Sequence, residues 1–275
     1  MTAAGAFDVV VFPFTPETKA GSFGRNPTLQ ASLKHLGIWD SEWTAASLVE
    51  RMDTAGVEKT LVCAIVGHDW EVEYQYIKSL CDQAPGRLVA SAGIDPRDIA
   101  NGVKKLEHAI TELGFVGAHS YPHWFGLSPA DRRWYPFYSK CIELDVPIQI
   151  QVGQAFQAGL YSVGRPEAID TMAVELPDLK IVCIHTAYPW DREMVSIAWK
   201  HPNVYIGADC WLPRDWAPEL VEFIRDRGRD KVMWGTNHPV IDQSESLAEV
   251  RALGLDSETE ALLVRENLKR VYRLA

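Results

Sequence analysis

His185 closes the apolar run Lys180-Ile181-Val182-Cys183-Ile184, and an imidazole at the end of a buried strand is well placed to carry a proton near neutral pH. Other polar side chains recur in the same kind of place. His68-Asp69, Asp95, His119-Ser120, Gln151, Asp209 and Asn237-His238 each end or follow a short apolar run, so a fold that gathers strand ends would gather them too. General acid or base catalysis by such a group contributes about a hundred- to ten-thousand-fold in rate. Each position also has a plainer reading. His185 could be an inward imidazole held by a neighbouring carbonyl, His119 a hydrogen-bonded strand-end residue, Asp209 a helix cap, and His68 and His238 solvent-facing loop residues. A Gly-x-Ser-x-Gly turn, a Ser-His-Asp order, a P-loop and a Gly-x-Gly-x-x-Gly segment are all missing, so acyl-enzyme, nucleotide and dinucleotide chemistry find no support in the sequence.

What must position these groups is a repeating βα pattern. Apolar runs alternate with amphipathic stretches at a spacing of roughly 25 to 35 residues, the rhythm of βα units around a buried parallel sheet. Strands are expected at residues 7–12, 59–66, 87–93, 115–119, 147–152, 180–185, 203–208 and 231–236. Between them, stretches such as 45–52 and 102–110 carry helical periodicity, with prolines and glycines at the joins. Eight alternating pairs without a break in composition favour one (β/α)8 TIM barrel spanning residues 1–275 over a doubly wound open sheet.

Two segments depart from the rhythm: residues 14–43 after the first strand and 120–133 after the fourth. Both are read as long loops leaving the carboxyl ends of strands, where barrel active sites are built, and so as lids or pocket walls. Phe12, Phe14, Trp70, Trp124, Phe156 and Trp211 crowd the expected mouth, as packing or as the lining of an apolar pocket. Arg25 and Arg165, in the loops after the first and fifth strands, could pair with a carboxylate or lie in solvent. His35, His108 and His201 are expected at helix surfaces.

Composition narrows the function classes. Hydrophobic residues at 47% with 23% charged residues describe a chain able to bury a large core, and the net charge of −10 opposes non-specific binding to nucleic acid. Cys63, Cys81, Cys141, Cys183 and Cys210 are odd in number and show no C-x-x-C spacing, which argues for buried free thiols rather than disulfides or a zinc knuckle. The first residues lack a basic stretch followed by an apolar one, and no apolar run approaches the ~18 residues of a membrane span, so a cytoplasmic protein that acts on a small molecule is expected.

In its ordered motifs the chain resembles the amidohydrolase-2 branch of the amidohydrolase superfamily, which includes aromatic-acid decarboxylases, lactonases and hydratases. Gly114-Phe115-Val116-Gly117 resembles the entry to the fourth strand, and Asp145 through Gly153 the fifth strand. His185 with Pro189-Trp190, then His201-Pro202-Asn203-Val204-Tyr205, resemble the sixth and seventh. Trp234-Gly235-Thr236-Asn237-His238-Pro239 is similar to the eighth, usually Gly-Ser/Thr-Asp-x-Pro, and Arg265 through Tyr272 to the closing helix.

The resemblance implies a metal site held by His-x-His from strand 1, a His from strand 5 or 6 and an Asp from strand 8. Those places fall on Val10 and Phe12, on Gln151 and His185, and on Asn237, so only His185 keeps its type. One imidazole, two carboxamides and two apolar groups make a poor set of ligands for zinc or manganese. The reading is therefore a metal-independent hydrolase or lyase without a cofactor, acting on a small cyclic or aromatic carboxylate-type compound. His185 would transfer the proton with help from His119 or His68. Gln151, Asn237, Asp209, Phe12, Trp124, Trp211, His238 and Arg25 would bind the substrate. Two rivals stand beside it: a non-catalytic subunit or binding protein partnering a metal-bearing homologue, and a metal moved to His68, His119, His185 or Asp209. A homodimer, or a hetero-oligomer with such a homologue, is expected by resemblance only.

Overall fold

The computed structural model describes residues 5–155 and 159–275, so Phe156 lies outside the described residues. Eight strands form one sheet in sequence order: β1 (Ala6–Val11), β2 (Val57–Ala64), β3 (Leu88–Gly93), β4 (Gly117–Ser120), β5 (Ile148–Gln151), β6 (Ile181–Ile184), β7 (Val204–Ala208) and β8 (Val232–Trp234). Every neighbouring pair is parallel. The sheet curls until its two ends meet: Asn237 N donates to Val10 O at 3.0 Å and Phe12 N to His238 O at 2.9 Å. The (β/α)8 barrel expected from the sequence is thus the architecture.

The strand runs are short and nearly continuously buried, as a parallel sheet covered by helices requires. Helix Ala45–Ala55 shows how the cover forms. Thr44 and Ser47 make a reciprocal capping box, Ala45, Leu48, Met52 and Ala55 turn one buried face to the barrel, and Gly56 at φ 80° ends the helix in a left-handed turn that a side chain would oppose. The two segments read as long loops are partly helical. Residues 14–43 contain helices Pro16–Ala20, Ser22–Arg25 and Pro27–His35, and residues 120–133 contain Pro122–Phe125. The first segment is tied back over the barrel by Trp43, whose indole N–H donates to Phe12 O at 3.0 Å and whose backbone N–H reaches Phe14 O at 2.9 Å.

The seam between β1 and β8 is held by one carboxylate. Asp8 is fully buried; its Oδ1 accepts from Thr236 N at 2.9 Å and Val10 N at 3.3 Å, and its Oδ2 from Thr236 Oγ1 at 2.6 Å and Gln243 Nε2 at 2.9 Å. Burial pushes its pKa up to about 6, against the pull of the four donors. The pairing of β1 with β2 shifts register between Asp8 and Val11, beside the bond from Val10 N.

The surface helices hold one correction. His201 is buried, not at the surface, and its Nε2 meets Asp170 Oδ1 at 2.6 Å, joining helix Asp191–Lys200 to helix Glu167–Glu175. The five cysteines are unpaired, and no helix among the described residues is long and apolar enough to cross a membrane.

Replacing Asp8 by Ala strands four buried donors and should lower the free energy of unfolding by about 3 kcal/mol or more, read from denaturant melts. Asp8→Asn should fall between Ala and the parent, since its amide oxygen can still accept while its NH2 group opposes Gln243. Parental stability in Asp8→Ala would show that the seam does not depend on this carboxylate.

Candidate functional site

Where β6, β7 and β8 end, the backbone takes a conformation that side chains rarely adopt. His185 (φ 73°), Thr186 (53°) and Ala187 (72°) follow β6, Cys210 (67°) follows β7 and Asn237 (53°) follows β8. Left-handed non-glycine residues are uncommon, and their concentration at functional sites comes from surroundings that hold them in place. Asp209 supplies part of that hold, accepting the His185 backbone N–H on Oδ1 at 2.8 Å, and Thr186 N–H donates to Gly207 O at 3.1 Å. Three of these residues, His185, Cys210 and Asn237, line the same cavity.

That cavity measures about 630 Å³, its open mouth included. Phe12, Leu29, Leu33, Leu36, Ile38 and Val240 make an apolar wall, largely from the 14–43 segment. Tyr121, Trp124 and Trp211 add aromatic faces, and Ser32, Gln151, Gln154, His185, Cys210 and Asn237 add polar groups. Phe12 thus lines the pocket from the strand 1 position where the resemblance placed a histidine. Its ring packs edge-on against Phe23 at 5.3 Å, Phe23 against Trp70 at 5.1 Å and Trp70 against Trp124 at 4.5 Å, and Trp124 stacks on Tyr121 at 4.0 Å.

His185 and Asp209 lie together at the edge of the cavity. His185 Nε2 lies 3.3 Å from Asp209 Oδ2, and although the two are not aligned as a hydrogen bond, neither atom has another partner. Burial, with the nearby His119 and His123, lowers the His185 pKa to about 3. Burial also raises the Asp209 carboxyl well above the usual range, a shift to which Asp8 adds. Burial therefore favours the uncharged form of each, a neutral imidazole and a protonated carboxyl.

His119 lies deeper. Its Nδ1 meets Gln149 Oε1 at 2.9 Å, its ring packs edge-on against Tyr121 at 4.7 Å, and burial lowers its pKa to about 4. Gln149 in turn donates from Nε2 to Val9 O at 2.6 Å and accepts from Ser91 Oγ at 3.4 Å, which fixes a polar layer inside the barrel. His119 does not line the cavity; Tyr121 stands between the two histidines, with its ring 5.9 Å from that of His185.

The remaining sequence candidates divide. Gln151, Asn237, Phe12, Trp124 and Trp211 line the cavity, and Asp209 reaches it through His185. His238 is buried, with Nδ1 unpartnered, but does not line it. His68 is an exposed side chain paired with Asp69 at 2.7 Å beside a separate depression. Arg25 is exposed and bonds Ala20 O at 3.1 Å, while exposed Arg165 pairs with Glu167 and covers the Trp190 ring. Both arginines stand away from the cavity. The 14–43 and 120–133 segments, expected as lids or pocket walls, supply Leu29, Leu33, Leu36, Ile38, Tyr121 and Trp124 to the lining, whereas nothing in the sequence singled out Gln149 or Phe23. Within the first segment, the period of the helix Pro27–His35 buries Leu29 and Leu33.

The cavity does not suit a divalent cation. Zinc and manganese call for three or four nitrogen, carboxylate or thiolate ligands. Here the ring of Phe12 and the carboxamides of Gln151 and Asn237 flank a single histidine with its aspartate. Among the described residues, no group of three or more His, Cys, Asp or Glu side chains is placed to share an ion. The rival placement on His68, His119, His185 and Asp209 fails because His68 points to solvent and, among the described residues, the others are not placed to share an ion.

Comparisons with known proteins place the chain. A 2-keto-4-carboxy-3-hexenedioate hydratase from Sphingobium sp. is 31% identical over 115 residues, a match that spans 34% of this chain and only 34% of that relative. An uncharacterised TIM-barrel protein from Bordetella bronchiseptica superposes with a TM-score of 0.85 at 18% identity, covering 98% of each chain. A 5-carboxyvanillate decarboxylase from Novosphingobium aromaticivorans, solved with manganese and 4-hydroxy-3-methoxy-5-nitrobenzoic acid, superposes with a TM-score of 0.77 at 13% identity, covering 99% of this chain and 97% of the other. At these identities the structures show a shared fold. The profile of the amidohydrolase family matches residues 44–274. That match takes in seven of the eight strands and the His185–Asp209 pair, and with it the chain belongs to the amidohydrolase family, as an enzyme of the hydrolase or lyase kind.

Proposed function

We propose that this chain is a metal-independent member of its family, a hydrolase or lyase that acts on a small cyclic or aromatic carboxylate or carboxylic-acid derivative through proton transfer by His185. One observation carries the reading: a buried imidazole and a buried carboxyl sit 3.3 Å apart at the edge of an apolar cavity whose other strand ends offer no set of metal ligands. The aromatic acid bound in the decarboxylase neighbour supports a ring-sized substrate.

The protonation states give the direction of transfer. With Asp209 protonated against Nε2, the neutral imidazole carries its own hydrogen on Nδ1, the nitrogen left to face the cavity. Nδ1–H donates its proton to a substrate oxygen as charge develops there, and Nε2 takes the proton of Asp209. His185 ends neutral and Asp209 ends as a carboxylate. The reverse transfer, from an attacking water or a substrate O–H, restores the pair. Gln151 and Asn237 hold the polar edge of the substrate, and Phe12, Trp124 and Trp211 flank its ring. His119, braced by Gln149, keeps Tyr121 packed between itself and His185.

On an identified substrate, His185→Gln should lower kcat by about a hundredfold or more. Asp209→Asn should cost nearly as much while the protein stays folded, because an amide oxygen can still accept the His185 backbone N–H but cannot supply the proton. Unchanged turnover in His185→Gln would defeat the assignment. Elemental analysis of purified protein should find zinc and manganese far below one per chain, and an active enzyme with a stoichiometric ion would overturn metal independence.

Stability should report the same charge states. His119, His123 and His238, all lowered to about 4, and His185, lowered to about 3, take up protons on unfolding once the pH drops below the ordinary histidine value of 6.5. Asp8 and Asp209, raised by burial, work in the opposite sense over that window, but four imidazoles outweigh two carboxyls. The melting temperature should therefore fall as pH is taken from 6.5 toward 4, and His185→Gln should shallow the slope. A melting temperature that is flat or rising over that range would contradict the neutral assignment of these histidines.

A further inference from the structure

The cavity that holds His185 carries no positive charge. Among the described residues no lysine or arginine lines it, and the two arginines expected near the mouth are engaged elsewhere: Arg25 on a backbone carbonyl, Arg165 on Glu167 and Trp190. A carboxylate entering here would leave water for an apolar wall with no partner of opposite sign, and an unpaired charge in such a place is strongly disfavoured.

The unsatisfied polar atoms point the same way. Gln151 Oε1 and Asn237 Oδ1 are buried without a hydrogen-bond partner, and both residues line the cavity. The amide orientation of Gln151 is set by its neighbour. Gln151 Nε2 faces Gln154 O, which can only accept, at 3.4 Å, and Asn237 Nδ2 faces Cys210 Sγ at 3.8 Å. Gln151 therefore keeps an acceptor free, and the Asn237 amide oxygen is a second acceptor without a partner. Trp124 Nε1–H, also unpartnered in the lining, and His185 could meet a carboxylate, but a carboxylate is only an acceptor and would leave both amide oxygens unmatched, whereas a compound that donates as well as accepts can meet all of these groups.

We infer that the cavity takes an uncharged ring compound whose polar edge carries N–H or O–H donors, and that it rejects free carboxylates. This narrows the substrate class of the preceding reading, on which it rests, to neutral derivatives such as a carboxamide or a hydroxylated lactone. The donors bind Gln151 Oε1 and Asn237 Oδ1, and a carbonyl faces His185.

Three probes of one shape separate the elements of this inference: benzamide, methyl benzoate and benzoate, titrated at pH 7.5 by calorimetry and ligand-detected NMR. Benzamide should bind at least about tenfold more tightly than benzoate, with methyl benzoate in between, because an unpaired buried anion forfeits far more than a missing donor. Leu33→Trp, which fills the apolar wall, should abolish benzamide binding, and Val240→Arg, at the half-buried edge of the cavity, should raise benzoate affinity at least about tenfold by supplying a cation. Benzoate binding as tightly as benzamide in the parent protein overturns the inference, as does methyl benzoate matching benzamide, or no probe binding at all. Failure of the catalytic reading shows separately: tight benzamide binding in a protein whose His185→Gln variant keeps full turnover would remove the proton-transfer role and leave the preference for uncharged ligands standing.

Discussion

A single buried carboxylate governs how this barrel closes. β1 and β8 are the ends of the chain's sheet, 221 positions apart from Val11 to Val232, and only two backbone bonds join them at the mouth. Asp8 adds four acceptor contacts at that seam, from Val10, Thr236 twice and Gln243, and so fixes the spacing of Phe12 and Asn237 on either side of it. Both residues line the cavity. The geometry of the site therefore begins at a residue that never touches a ligand. Gly235 shows how tight the join is, since a Cβ there would come within 2.6 Å of Val9 Cγ1 and 3.1 Å of Asp8 Oδ1.

The two buried aspartates share a barrel and differ in role because they differ in donors. Asp8 is ringed by four donors, which offset part of the cost of burial. Asp209 has the His185 backbone N–H on one oxygen and only the edge of an imidazole near the other, so burial dominates and favours its protonated form. The first arrangement suits a brace and the second a proton donor. The left-handed residues after β6, β7 and β8 belong to the same economy, because strain held in place by Asp209 and by Gly207 O sets where the imidazole sits.

Much of the fold was legible in the sequence, and part of the site. The eight apolar runs became the eight strands, each within a few residues of its expected bounds, because a strand buried on both faces must be apolar almost throughout. The same property hid Gln149. In a run with no alternation nothing marks which residues point into the barrel, and Gln149 was indistinguishable from Gln151 two places later although one braces His119 and the other lines the cavity. His68 and His185 both follow a strand, but β2 continues into a turn that carries His68 outward, whereas Asp209 draws His185 in. His201 looked like a helix-end surface residue until its partner, Asp170, was seen to lie on the neighbouring helix.

The sequence by itself determined the alternation of strands and helices, through its motifs the resemblance to the family, and the identities of Val10, Phe12, Gln151, His185 and Asn237 at or near the strand ends. Those are properties of residue identity and local spacing, which a chain carries before it folds. Tertiary structure alone decided that Asp209 is the partner of His185, that Leu29, Leu33, Leu36 and Ile38 are the residues the 14–43 segment turns to the cavity, and that among the described residues no arginine lines it. The physical reason is that charge states and contacts depend on burial and on neighbours distant along the chain, and both come into being only when the barrel closes.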